Sequence, residues 1–126
     1  MIPADLLYTP QHEWLLVHPD GNVRVGITDY AQDALGDIVF VALPTTGDEL
    51  AGEQAMGEVE STKSVSEVYA PIPGRVVRRN DAVETAPETI NDDPYGEGWL
   101  VEIEPEVPVD AAEFLDAAGY QDLIKG

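Results

Sequence analysis

The sequence has no cysteine. That absence excludes a disulfide framework, a cysteine-ligated metal and a cysteine nucleophile. Basic residues are nearly as scarce. Six Lys and Arg stand against 25 Asp and Glu, a formal net charge of -19. Nucleic-acid phosphate and anionic membrane surfaces would repel such a chain, so basic protein surfaces are the expected docking partners. No stretch approaches the ~20 apolar residues that a membrane helix needs. The start, Met1-Ile2-Pro3-Ala4-Asp5-Leu6-Leu7, lacks the basic residues and long apolar run of a signal peptide. It also lacks the Arg-rich character of a transit peptide. A cytoplasmic protein is expected, and a mature mitochondrial form reads the same way.

Catalytic signatures are missing as well. His12 and His18 are not spaced as a helical metal pair, and no Gly-rich phosphate loop occurs. No Ser–His–Asp order stands out. Acids are so numerous that no catalytic pair can be singled out. The reading is therefore of a non-catalytic protein with neither a metal site nor catalytic residues.

What is present is an alternating pattern over 126 residues, a length that points to one domain spanning 1–126. His12 to Val17 and Val23 to Ile27 read as two strands joined by the turn Pro19-Asp20-Gly21-Asn22. Thr28 is placed to cap a short helix that Gly36 stops. Ile38 to Leu43 reads as a buried strand, Pro87 to Gly98 as a loop, and Trp99 to Ile103 as a strand with Trp99, Val101 and Ile103 on one face. Asp110 and Glu113 have capping-box spacing, which predicts a helix over 110–118 with Gly119 closing it. Two strand-turn-strand units, one around Gly47-Asp48-Glu49-Leu50 and one around Asn80-Asp81-Ala82-Val83, predict approximate internal symmetry.

Between them Gly57 to Arg78 reads as a β-hairpin with Lys63 at its tip. The only other lysine is Lys125. A lone tip lysine is either an ordinary solvated residue or an accessible amine for covalent acylation.

The motifs favour the second reading. His12-Glu13-Trp14, Val25-Gly26-Ile27-Thr28-Asp29-Tyr30-Ala31-Gln32, Leu35-Gly36-Asp37-Ile38-Val39-Phe40-Val41 and Leu43-Pro44 run in order. Val59-Glu60-Ser61-Thr62-Lys63-Ser64, Tyr69-Ala70-Pro71 and Gly74 follow. Asn91, Pro94-Tyr95, Gly98-Trp99, Leu115-Asp116-Ala117 and Tyr120 complete the set. Together they resemble the H-protein family of the glycine cleavage system, whose members are lipoyl-lysine carriers.

The resemblance implies a mainly β fold, a flattened barrel and β-sandwich hybrid of the lipoyl-carrier type. The two short helices would be those near 28–36 and 110–118. It implies lipoate in amide linkage to Lys63. It also implies a carrier shuttling the aminomethyl group of glycine from the P-protein, a glycine decarboxylase, to the T-protein, an aminomethyltransferase. The L-protein, a dihydrolipoamide dehydrogenase, would reoxidise the dithiol, and a lipoate-attaching enzyme would install the group. The carrier is expected to act as a monomer. Glu13 matches a family position lining the cleft that receives the loaded arm, with His12 beside it. Glu67 matches one commonly held by Asp.

Other readings are a lipoyl relay to other proteins or an unmodified regulatory binding module. A carrier domain of a 2-oxo-acid dehydrogenase would place Asp and Ala around the lysine, and a biotin carrier would place Met on both sides. Here the neighbours are Thr62 and Ser64.

Overall fold

Alternating apolar residues build two antiparallel sheets that share one core. The computed structural model describes residues 2–125; Met1 and Gly126, the ends of the expected domain, lie outside the described residues. In chain order come β1 (Leu7–Tyr8), β2 (Glu13–Val17), β3 (Val23–Ile27), α1 (Asp29–Leu35), β4 (Ile38–Ala42) and β5 (Glu49–Leu50). Then follow β6 (Ala55–Ser61), β7 (Val65–Tyr69), β8 (Gly74–Arg79), α2 (Asp81–Thr85), α3 (Glu88–Asp92) and β9 (Val101–Pro105). A 3-10 turn at Ala111–Glu113 precedes α4 (Ala117–Lys125). The larger sheet has the order β1-β2-β3-β9-β8-β5 and the smaller β4-β6-β7. The two do not close into a barrel, so the sandwich half of the expected hybrid is the one that holds.

Leu15, Val23, Val25, Val76, Val101 and Ile103 of the larger sheet meet Ile38, Val41, Val59 and Val68 of the smaller one in the main core. Each such buried aliphatic side chain contributes roughly 1.5–3 kcal/mol. The larger sheet is also covered on its other face, where Tyr8, Trp14, Trp99 and Tyr120 form a second cluster. Trp14 fits there because Gly26 lies beneath it: a Cβ at Gly26 would come within 2.6 Å of the indole ring.

The first hairpin and α1 agree with the sequence reading. The turn closes through His18 N–H to Asn22 O, with Gly21 at φ 92°. Thr28 Oγ1 accepts from Ala31 N–H at the start of α1, and Gly36 ends it at φ 85°. Among the described residues no helix is long and apolar enough to cross a membrane.

Five expectations are corrected. β4 is not buried throughout, because a register shift between Ile38 and Phe40 turns Val39 and Phe40 outward. The two flanking units diverge: the segment after Gly47 enters β5, whereas Asn80 opens α2. Asn80 is buried there, and its Nδ2 donates to the carbonyls of Glu97 and Trp99. The expected loop from Pro87 contains α3, whose start Pro87 pre-sets at φ -56°. Trp99 lies on the opposite face from Val101 and Ile103, in the second cluster, with the Arg24 and Arg78 guanidinium groups over its ring.

The C-terminal helix begins at Ala117, beyond most of its expected span. Leu115 exchanges two 2.9 Å backbone hydrogen bonds with Tyr8, so no helix can pass through it. Asp110 caps only the 3-10 turn, and Asp116 takes over, its Oδ1 accepting from Gly119 N–H at 2.7 Å inside α4.

Candidate functional site

Lys63 stands at the tip joining β6 to β7, and it is exposed. Its platform is stiff. Ser61 N–H donates to Ser64 O at 2.8 Å. Ser61 Oγ accepts from the Lys63 and Ser64 N–H groups at 3.3 and 3.1 Å and donates to Ser64 O at 3.2 Å. Thr62 N–H reaches across to Asp37 O at 3.1 Å, tying the tip to the segment before β4. Gly36 lies beside the lysine stem, and a Cβ there would stand 3.4 Å from Lys63 Cε.

That stem therefore passes the end of α1, and α1 forms one wall of a cavity of about 240 Å³. Tyr30, Ala31, Ala34 and Leu35 supply this wall, and Val59 of β6 with Ser66, Glu67 and Val68 of β7 supply the other. Gln11, His12 and Glu13 close it from the start of β2. The structure thus brings His12, Glu13 and Glu67 together, with Lys63 on the adjoining tip rather than in the wall.

Glu13 is only 2% exposed, so it is not an ordinary solvated strand carboxylate. Thr9 Oγ1 donates to its Oε1 at 2.7 Å and Tyr69 N–H to its Oε2 at 3.1 Å. Burial pushes its pKa up; the two hydrogen bonds pull the other way without cancelling that. Glu67 is exposed and accepts from the Tyr69 hydroxyl at 3.1 Å. His12 adopts a left-handed backbone at φ 70°. The ring packs on Tyr30 at 4.9 Å, and Nδ1 lies 2.7 Å from the Tyr120 hydroxyl. Burial lowers the pKa of His12.

Sequence reasoning did not find Thr9, Tyr69 or the hydroxyl of Tyr120 as partners of these groups. Thr9 sits four residues before Glu13, a local signal too weak to separate from a turn residue. Tyr69 and Tyr120 lie 56 and 108 residues from their partners.

A hairpin-tip lysine beside a cavity with apolar walls and a buried acid is the geometry to compare with known proteins. A family profile described as glycine cleavage H-protein matches residues 6–126. The chain belongs to that family. It is 56% identical to the glycine cleavage system H protein of Mycolicibacterium smegmatis, over 98% of this chain and 96% of that one. It is 49% identical to the protein of the same name from Halorhodospira halophila, over 98% and 95%. The fold matches the crystal structure of a glycine cleavage system H protein from Mycobacterium marinum. The TM-score is 0.91 at 44% identity, covering 99% of this chain and all of that one.

Proposed function

We propose that this chain is the lipoyl carrier of a glycine cleavage system, with lipoate in amide linkage to Lys63. The observation that carries the reading is a buried carboxyl, Glu13, in an apolar-walled cavity beside the tip that presents the lysine. Bound in this way, a lipoyl group supplies a disulfide that can accept an aminomethyl group and be left as a dithiol.

The residues present fit such a group. The exposed Lys63 amine is open to an acylating enzyme, and amide formation removes its charge. Ser61 and Asp37 hold the tip in place while the side chain stays free. Ala31, Ala34, Leu35, Val59 and Val68 offer methylene-compatible walls. Glu13 offers charge where a cationic amine would end. A neighbouring cation favours the ionised carboxylate, against the upward push of burial. In turn an ionised Glu13 would favour the protonated amine, which has no lone pair free to expel the sulfur. Glu67, hydrogen-bonded by Tyr69, is a second carboxylate at the cavity.

The carrier makes no chemical step alone. Its partners are the glycine decarboxylase, the aminomethyltransferase, the dihydrolipoamide dehydrogenase and a lipoate-attaching enzyme, which the acidic surface would meet through basic docking faces. It works as one unit in the cytoplasm. Reconstitution with the three enzymes tests this. Lipoylated chain should support glycine-dependent NADH formation, and Lys63→Arg should abolish it. Turnover independent of the chain, or unaffected by Lys63→Arg, would overturn the assignment.

A further inference from the structure

Tyr120 is the one buried residue of α4. Its ring stacks on Tyr8 at 4.8 Å with 12° between the planes. Its hydroxyl lies 2.7 Å from both His12 Nδ1 and Thr28 Oγ1. Thr28 is fully buried, and its Oγ1 already accepts from Ala31 N–H at 3.2 Å.

Hydrogen-bond bookkeeping orders this chain. The Thr28 hydroxyl proton needs an acceptor, and Tyr120 supplies it. The Tyr120 proton then goes to His12 Nδ1, which must be unprotonated, so the ring carries its proton on Nε2. In the reverse order Nδ1–H would donate to Tyr120 and Tyr120 to Thr28. The buried Thr28 proton would then have no acceptor, a loss that buried hydroxyls rarely bear. An imidazolium has protons on both nitrogens, so its Nδ1–H must donate to Tyr120; whether Tyr120 then donates to Thr28 or accepts from both neighbours, one buried hydroxyl proton is left without an acceptor.

We propose that Tyr120 is a positioning residue, which through Thr28 and His12 keeps the imidazole neutral, with its proton on Nε2, at the cavity that receives the loaded arm. The inference rests on the carrier reading above. The titratable groups set around His12 are Tyr30 from α1, Tyr120 from α4 and, in the shared cavity, Glu13 from β2 and Glu67 from β7. The two carboxylates favour an imidazolium. The hydroxyl chain opposes it, and so does burial, which lowers the His12 pKa. An imidazolium here would compete with the cationic arm for Glu13 and repel the arm's ammonium, easing loss of its proton. The C-terminal helix, remote in sequence, thereby governs how long the cargo is held.

The test uses Tyr120→Phe, which keeps the Tyr8 stack and removes only the hydroxyl, in the full-length chain. Nitrogen-15 NMR of His12 in the wild type should show protonated Nε2 and bare Nδ1. In Tyr120→Phe the two tautomers should mix, and the His12 midpoint should rise by about one pH unit. The loaded carrier should lose its group roughly fivefold faster at pH 7, the scale of one neutral hydrogen bond. Thr28→Ser keeps the hydroxyl and should leave all three readouts at wild type. An unchanged tautomer, or a changed tautomer with an unchanged lifetime, would overturn the proposal. Wild-type protein that takes no lipoyl group in its own host would overturn the carrier reading and the proposal together, and the mass of the wild type alone separates that case.

Discussion

Glu13→Gln separates what this carboxyl does for stability from what it does for the cargo. The amide offers one acceptor where the carboxylate takes two donors, Thr9 Oγ1 at 2.7 Å and Tyr69 N–H at 3.1 Å. One hydrogen bond to a charged group is lost, about 1.5–3 kcal/mol. Removing an ionised group from a site with 2% exposure offsets it. The net change at pH 7 should be within about 1 kcal/mol.

The pH dependence has a definite sign. The folded-state pKa of Glu13 is raised above its ordinary 4.5, so the folded protein holds this proton more tightly than the unfolded chain. That contribution to stability is full below 4.5 and is lost as pH rises through the folded value. The amide does not titrate. Relative to wild type, the variant should therefore gain between pH 4 and pH 7, read as the difference in urea midpoints. The lifetime of the loaded carrier at pH 7 should nevertheless fall by about tenfold or more, the rate equivalent of a charged hydrogen bond. A loss of several kcal/mol with an unchanged lifetime would refute the reasoning and leave Glu13 as a structural residue.

Ser61→Ala removes three contacts at the hairpin tip and should cost about 1–2 kcal/mol in urea unfolding. It should also slow lipoate attachment, since Lys63 would no longer be held on a fixed turn. Asn91→Ala should cost about 3 kcal/mol. Its Oδ1 accepts from Ile38 N–H, while Nδ2 donates to Gln32 Oε1 and Gly36 O, so one side chain joins α1, α3 and β4. Glu102 is buried among Arg24, Arg78 and His18. Burial pushes its pKa up, but these partners outweigh that and hold it down. A depressed folded value means stability present above the ordinary 4.5 and lost as pH falls through the folded value. Acid unfolding should follow that slope, and Glu102→Gln should flatten it while lowering stability at pH 7.

Features set by neighbouring residues were legible in the sequence. The Pro19 to Asn22 turn, the Thr28 cap, the Gly36 stop and the lysine at the β6–β7 tip each follow from local chemistry, and each stands where expected. Features set by distant partners were not. The C-terminal helix was misplaced because Tyr8 claims the backbone of Leu115. Trp99 follows the period of its strand on paper, but the irregular residues before β9 and two arginines draw it to the other face. By composition and spacing Glu13 is one acid among 25, and the family resemblance alone singles it out. Only the fold supplies the Tyr69 amide that makes it a buried, held group. His12 and Glu67 share its cavity for the same reason: α1, β2 and β7 converge there from separate parts of the chain.

The most direct test of the central claim is the mass of the protein purified from its own host, followed by mapping of the modified peptide. A single lipoyl amide on Lys63, absent from Lys63→Arg, is the predicted result. An unmodified chain, or a lipoyl group on Lys125 instead, would contradict it.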